Sequence, residues 1–201
     1  MDKQTLEYYN DHAIEYYIST IDVDMRDIYE LFEVNLADGD SILDVGCGSG
    51  RDSYYFLGTG YSVTAIEPSK ELARLASERI GMEVINTPIQ AINFKSQFNG
   101  VWACASLLHI PFIEMPTVLI KLHEALKDGG TLFISLKKGD YEGYRNGRYF
   151  CDYNVPKFEQ LNYKDIGYQL LKYHESADKR SDRQLETWLN IVLRKPAYHT
   201  N

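Results

Sequence analysis

The spacing of apolar residues changes twice along the 201-residue chain. Over residues 1–36, Leu6, Tyr9, Ala13, Tyr16 and Tyr17 recur at three- and four-residue intervals, and Met25, Ile28, Tyr29, Phe32 and Leu36 repeat the pattern. That period gathers apolar side chains on one face of a helix. It predicts a preface of two amphipathic helices broken near residues 20–24. From Asp38 short apolar runs alternate with helical patterns. SILDV (41–45), VTAIE (63–67), MEVI (82–85), GVWACA (100–105) and TLFISL (131–136) read as buried strands, with helices over 51–57, 70–80 and 114–127. Strand–helix–strand repetition predicts an α/β fold, a parallel sheet with helices on both faces. The tail predicts a helix over 157–167 and strands over 168–174 and 186–194, joined by the polar segment 175–184 into an antiparallel hairpin at the sheet edge. No linker-like or repetitive stretch interrupts this order, so one domain is expected, with parts 1–36, 38–140 and 141–201.

Composition narrows the function classes. Lys and Arg total 21 against 29 Asp and Glu, a formal net charge of -8. Such a surface repels a phosphate backbone, so broad nucleic-acid binding is not expected. Cys47, Cys104 and Cys151 are odd in number and widely spaced, which predicts neither a disulfide framework nor a closed zinc site. The expected setting is reduced and cytoplasmic. No apolar run approaches a membrane span, and the N-terminus lacks the apolar core of a secretion signal. Tyrosine is unusually frequent, 16 against 8 Phe.

The sharpest local signal is the turn Asp44-Val45-Gly46-Cys47-Gly48-Ser49-Gly50-Arg51-Asp52 between a strand and a helix. Glycines there let the backbone bend tightly beside a ligand, and the helix start offers free N–H groups. Glu67 stands 21 positions after Gly46 at the end of the second strand, the spacing that sets a carboxylate on a ribose diol. A dinucleotide fingerprint would require glycine where Arg51 stands, and no phosphate-binding G-x-x-x-x-G-K-[ST] occurs. Asp44 would repel a pyrophosphate but suit a cationic amino group. The pattern therefore indicates a nucleoside with a cationic tail.

Taken together, ILDVGCGSGRDS (42–53), VTAIEPS (63–69), VWACASLLHIP (101–111) and LKDGGTLFISLKKG (126–139) resemble the class I S-adenosylmethionine-dependent methyltransferases over nearly the whole chain. WACASLLH and the later K-G-x-x-E-x-x-R-N-G-R-Y-F-x-D stretch make the chain most similar to small bacterial methyltransferases often labelled tellurite-resistance-like. The resemblance implies a Rossmann-like seven-stranded, mostly parallel sheet with an antiparallel last strand and an N-terminal helical lid. It also implies S-adenosylmethionine as cofactor and S-adenosylhomocysteine as product. By position, Gly46, Cys47 and Gly48 would lie under the methionine part, Asp44 near its amino group, with Arg51 and Asp52 completing the turn. Glu67 would hold the ribose, Pro68 and Ser69 one side of the adenine, and Ile89 and Gln90 the other. Thr87 and Pro88 stand where many relatives carry an acid. Ser106, Leu107 and His109 would floor the space between cofactor and substrate. Tyr8, Tyr9 and Tyr17 of the lid would face the pocket, with Tyr16 beside them.

His109 is the candidate base or substrate anchor, since imidazole titrates near neutrality. Lys137, Arg145, Arg148 and Tyr149 form a basic and aromatic cluster after the fifth strand, suited to a small anionic or planar substrate. No N-P-P-Y turn or Pro-Cys step follows the fourth strand, and no metal motif is present. Methyl transfer to a small molecule is thus the expected activity. A nucleic-acid or protein acceptor, or a catalytically silent cofactor-binding module, are the alternatives. Acceptor identity and oligomeric state are not read from the sequence.

Overall fold

A computed structural model describes residues 1–180, 183 and 185–197. Helices α1 (Lys3–Asp11), α2 (Ala13–Thr20) and α3 (Arg26–Glu33) form the preface. The expected first helix is two, because the chain breaks at His12. The α/β part runs β1 (Ser41–Val45), α4 (Arg51–Gly58), β2 (Ser62–Ile66), α5 (Lys70–Ile80), β3 (Phe98–Cys104), α6 (Met115–Ala125) and β4 (Leu126–Lys137). After it come β5 (Glu142–Arg145), β6 (Arg148–Cys151), α7 (Val155–Glu159), α8 (Tyr163–Ile166), β7 (Gln169–Ala177) and β8 (Thr187–Arg194).

Among the described residues the main sheet has six strands in the order β2-β1-β3-β4-β8-β7, not seven. The first four are parallel; β8 lies antiparallel between β4 and β7. Segment 82–85 is the missing strand. It makes one bridge, Ile66 to Ile85, and then turns away. The Asn86 amide donates to the carbonyls of Glu67 and Pro68, and Pro88 has no N–H to extend a ladder. The 157–167 helix is also broken, at Asn162 in the left-handed region (φ 52°), giving α7 and α8. Of the expected connector 175–184, residues 175–177 extend β7, and 181, 182 and 184 lie outside the described residues.

Side-chain alternation splits the core between the two faces. Val101, Ala103, Leu132 and Ile134 pack with α6 through Val118, Leu119 and Leu122. Trp102, Phe133 and Val192 point the other way, against Ile28, Tyr29 and Phe32 of α3 and Phe56 of α4. Trp102 stacks on Phe133 with centroids 4.1 Å apart. Gly100 is required here, because a methyl group in its place would lie 2.5 Å from the Phe32 ring. Among the described residues no helix is long and apolar enough to cross a membrane.

Candidate active site

The carboxyl ends of β1 to β4 converge on one side of the sheet, where ligands bind in folds of this type. After β1, the Gly46 and Cys47 N–H groups donate to the Ile66 carbonyl at 2.8 and 3.1 Å, tying the glycine turn to β2. Gly46, Gly48 and Gly50 all have positive φ (69°, 56° and 76°). A methyl group on Gly46 would sit 2.6 Å from Ser106 Cβ, and one on Gly48 would sit 3.0 Å from the Tyr16 ring. The turn is therefore closely roofed by the segment after β3 and by Tyr16 of α2.

Glu67 is buried and accepts the Gly48 and Ser69 N–H groups at 3.0 and 2.8 Å. Burial pushes its carboxyl up to about 7, against the pull of those two bonds. Asp44 is buried behind the turn, takes the Ser53 hydroxyl at 2.6 Å, and is raised by burial and by the neighbouring Asp52 carboxylate. Asp52 accepts from Tyr29, Arg51 and Trp102, which hold it ionised against its burial.

Two cavities adjoin. The smaller, about 50 Å³, is lined by Gly46, Gly48, Glu67, Pro68, Ile89 and Gln90, with Ser106 and Leu107 beneath. Ser106 Oγ and Gln90 Oε1 are buried there without a hydrogen-bond partner. The larger, about 370 Å³, takes in Cys47, Arg51, Asp52, Lys137, Arg145 and Arg148. Both are bounded by Tyr9, Tyr16, Gly46, Ala105 and His109. Ala105 stands at that junction in the left-handed region (φ 53°), and only its methyl group projects there.

His109 is fully engaged. Its Nδ1 lies 2.6 Å from the Tyr149 carbonyl, which can only accept, so Nδ1 carries the proton and Nε2 accepts the Tyr9 hydroxyl at 2.8 Å. Burial holds the imidazole neutral, its pKa lowered to about 4. Arg148 donates to Tyr9 Oη at 3.4 Å. Around the rim Lys137 pairs with Glu186 at 2.6 Å, and Arg145 pairs with Asp152.

Several expected positions fall elsewhere. Tyr8 stacks on His12 and under Arg148, and neither it nor Tyr17 lines either cavity. Tyr9 of α1 and Tyr16 of α2, whose rings meet edge-on with centroids 5.2 Å apart, do. Ser69 caps α5 and donates to Asn10 of α1. The Tyr149 hydroxyl serves Glu142 at 2.6 Å, so its backbone, not its ring, supports the site through His109. Sequence reasoning missed Asp178, Arg180, Glu186 and Trp188 on the cavity wall. They come from the β7–β8 end, carried beside Lys137 because β8 inserts next to β4. It also missed the β5–β6 hairpin, whose signal was the Asn146-Gly147 pair, with φ of 51° and 79° as a two-residue hairpin turn requires.

Residues 42–130 match a family model described as a methyltransferase domain. The O-methyltransferase cnsE of Penicillium expansum is 29% identical over 111 residues, covering 49% of this chain and 38% of that protein. The ubiquinone biosynthesis O-methyltransferase of Xanthomonas campestris is 33% identical over 104 residues, 48% of this chain and 43% of that one. The chain thus spans about two fifths of the curated relatives it matches. In structure it resembles the 1,6-didemethyltoxoflavin-N1-methyltransferase of Burkholderia thailandensis, solved with 1,6-didemethyltoxoflavin and S-adenosylhomocysteine, at a TM-score of 0.75. That match is 23% identical and covers 95% of this chain and 85% of the other. Residues 42–130 thus match a methyltransferase domain, and the chain as a whole has the fold of the S-adenosylmethionine-dependent methyltransferases.

Proposed function

We propose that the protein transfers the methyl group of S-adenosylmethionine to a small planar or anionic molecule held in the 370 Å³ cavity. The observation that carries this is the pair of adjoining cavities with a shared wall of Tyr9, Tyr16, Gly46, Ala105 and His109. When bound, the cofactor supplies an electrophilic methyl group on a positively charged sulfur. The residues present suit it. Glu67 retains lone pairs for a ribose diol beyond its two backbone bonds, and the orphaned Ser106 Oγ and Gln90 Oε1 await polar partners. Pro68 and Ile89 offer apolar faces to a base, and Asp44 places negative charge behind Gly46 for an amino group.

On the other side Lys137, Arg145 and Arg148, with the Phe150 ring, receive the acceptor. With both partners held in the adjoining cavities, most of the rate would come from keeping nucleophile and methyl in line. His109 acts as a positioning residue: its Nε2 fixes the Tyr9 hydroxyl at the cavity junction. The curated relatives carry names of O-methyltransferases, which favours a small acceptor over a macromolecular one, as does the net charge of -8. The three free cysteines suit a cytoplasmic setting. Methyl-labelled cofactor offered with a metabolite extract, total tRNA and a protein lysate in parallel tests the reading. Label should enter the small-molecule fraction; label confined to tRNA or protein, or none at all, overturns it.

A further inference from the structure

The carboxylates lining the cavities are already engaged. Asp52 is held by Arg51, Tyr29 and Trp102, Asp178 by Arg180 and Trp188, Glu186 by Lys137, and Glu67 by two backbone amides. His109 spends both ring nitrogens, and its burial beside the Arg148 cation disfavours an imidazolium. The Cys47 and Cys104 thiols are pushed up by burial and by the Asp44 and Asp52 carboxylates. Glu67 alone among these carboxylates keeps free lone pairs and is pushed by burial toward taking up a proton, but it lines the smaller cavity and the proposed function commits it to the ribose; among the described residues no carboxylate or imidazole on the larger cavity is left free to take a proton from an acceptor.

Arg148 is different from the other cations on this wall. Arg51, Lys137, Arg145, Lys179 and Arg180 each have a carboxylate partner, whereas among the described residues Arg148 forms no ion pair. Its Nε–H is buried and has no acceptor. Its guanidinium lies 4.5 Å over the Tyr8 ring and 5.1 Å over the Phe150 ring, and Arg145 approaches that same Phe150 ring at 4.4 Å. A half-buried guanidinium with no carboxylate partner, framed by aromatic surfaces, is a receptor for a flat anion. The other titratable or charged groups facing it are Tyr9 from α1, His109 from the turn after β3 and Arg145 from β5, while Asp2 and the N-terminal amine also act on His109.

We propose that Arg148 selects a planar acceptor that enters already ionised, and that the site methylates this anion without removing a proton from it. This rests on the methyltransferase reading above. The acceptor's lone pair forms the new bond to the methyl carbon, the electron pair of the broken carbon–sulfur bond stays on sulfur, and anion plus sulfonium become two neutral products.

The probe is a series of nitrophenols of graded acidity, titrated into protein saturated with S-adenosylhomocysteine, where nitrophenolate absorbance reports the charge state of the bound molecule. Bound probe should be ionised at a pH at least one unit below its free value, a tenfold preference for the anion. Arg148→Met should abolish that preference, and Arg148→Lys should keep part of it, with S-adenosylhomocysteine affinity held within about twofold by calorimetry. With S-adenosylmethionine, kcat/KM for each nitrophenol should rise with pH and level off at that phenol's own pKa, and His109→Gln should leave those break points in place. Failure of every nitrophenol to bind, neutral bound probe, an undiminished preference in Arg148→Met, or one common break for all phenols would overturn the inference. Absence of S-adenosylhomocysteine binding would instead remove the methyltransferase reading beneath it.

Discussion

Gly46→Ala probes the turn on which the site depends. The alanine would have to hold φ near 69° and place its methyl 2.6 Å from Ser106 Cβ. Left-handed backbone costs a non-glycine residue about 1–2 kcal/mol. Ser106 Cβ is one bond from the backbone and cannot swing aside, so relief requires moving the segment after β3, an overpacking cost of about 1–3 kcal/mol. The sum is about 2–5 kcal/mol, and at about 2–4 °C per kcal/mol for a chain of this size it lowers Tm by about 4–20 °C. Gly39→Ala is the control: φ is 78°, yet nothing lies within 4 Å of the added methyl, so it carries the backbone cost alone. Gly48→Ala falls between them, because the atoms it meets belong to the Tyr16 ring, which can rotate away. Thermal unfolding followed by circular dichroism should rank the variants Gly39→Ala, Gly48→Ala, Gly46→Ala in falling Tm. If Gly46→Ala melts no lower than Gly39→Ala, the account of a turn clamped against Ser106 is wrong.

The other expectations concern the groups around that turn. Glu67→Gln replaces one accepting oxygen with an N–H donor facing a backbone N–H, so S-adenosylhomocysteine affinity should fall about tenfold or more by calorimetry; an unchanged affinity removes Glu67 from the site. His109 has its pKa depressed from 6.5 to about 4 by burial, so the unfolded chain takes up this proton first on acidification. Its stabilising contribution, about 3 kcal/mol, is complete above about pH 6.5 and lost as pH falls toward 4. The stability difference between wild type and His109→Gln in urea should therefore shrink over that window, and a constant difference would contradict a buried neutral imidazole. Trp102→Phe removes the 2.8 Å donation to buried Asp52 and should cost about 1–3 kcal/mol; an unchanged urea midpoint would show that Asp52 finds another donor.

The parallel strands and the glycine turn were legible because each is written locally, as an apolar run or as glycines at a bend. Glu67 was legible for the same reason, standing one residue beyond β2 at a fixed distance from Gly46. What escaped was decided by contacts distant in sequence. Segment 82–85 is apolar enough for a strand, but Asn86 and Pro88 turn the chain away after one bridge. Tyr8 and Tyr9 lie on α1 and Tyr16 and Tyr17 on α2, and the choice among them follows from where the two helices dock. Asn10 on Ser69 and Thr20 on Ser49 fix that docking and leave Tyr9 and Tyr16 inward. The role of His109 could not be read without the Tyr149 carbonyl, 40 positions away. The β5–β6 turn was the exception, since Asn146-Gly147 announced it in sequence.

The central claim is that residues 44–50 and Glu67 build a cofactor site of the class I methyltransferase type. Isothermal titration with S-adenosylmethionine and with S-adenosylhomocysteine tests it most directly. Saturable binding of both at one site per chain is expected, weakened in Glu67→Gln. No binding of either at millimolar concentration to protein shown to be folded would contradict it.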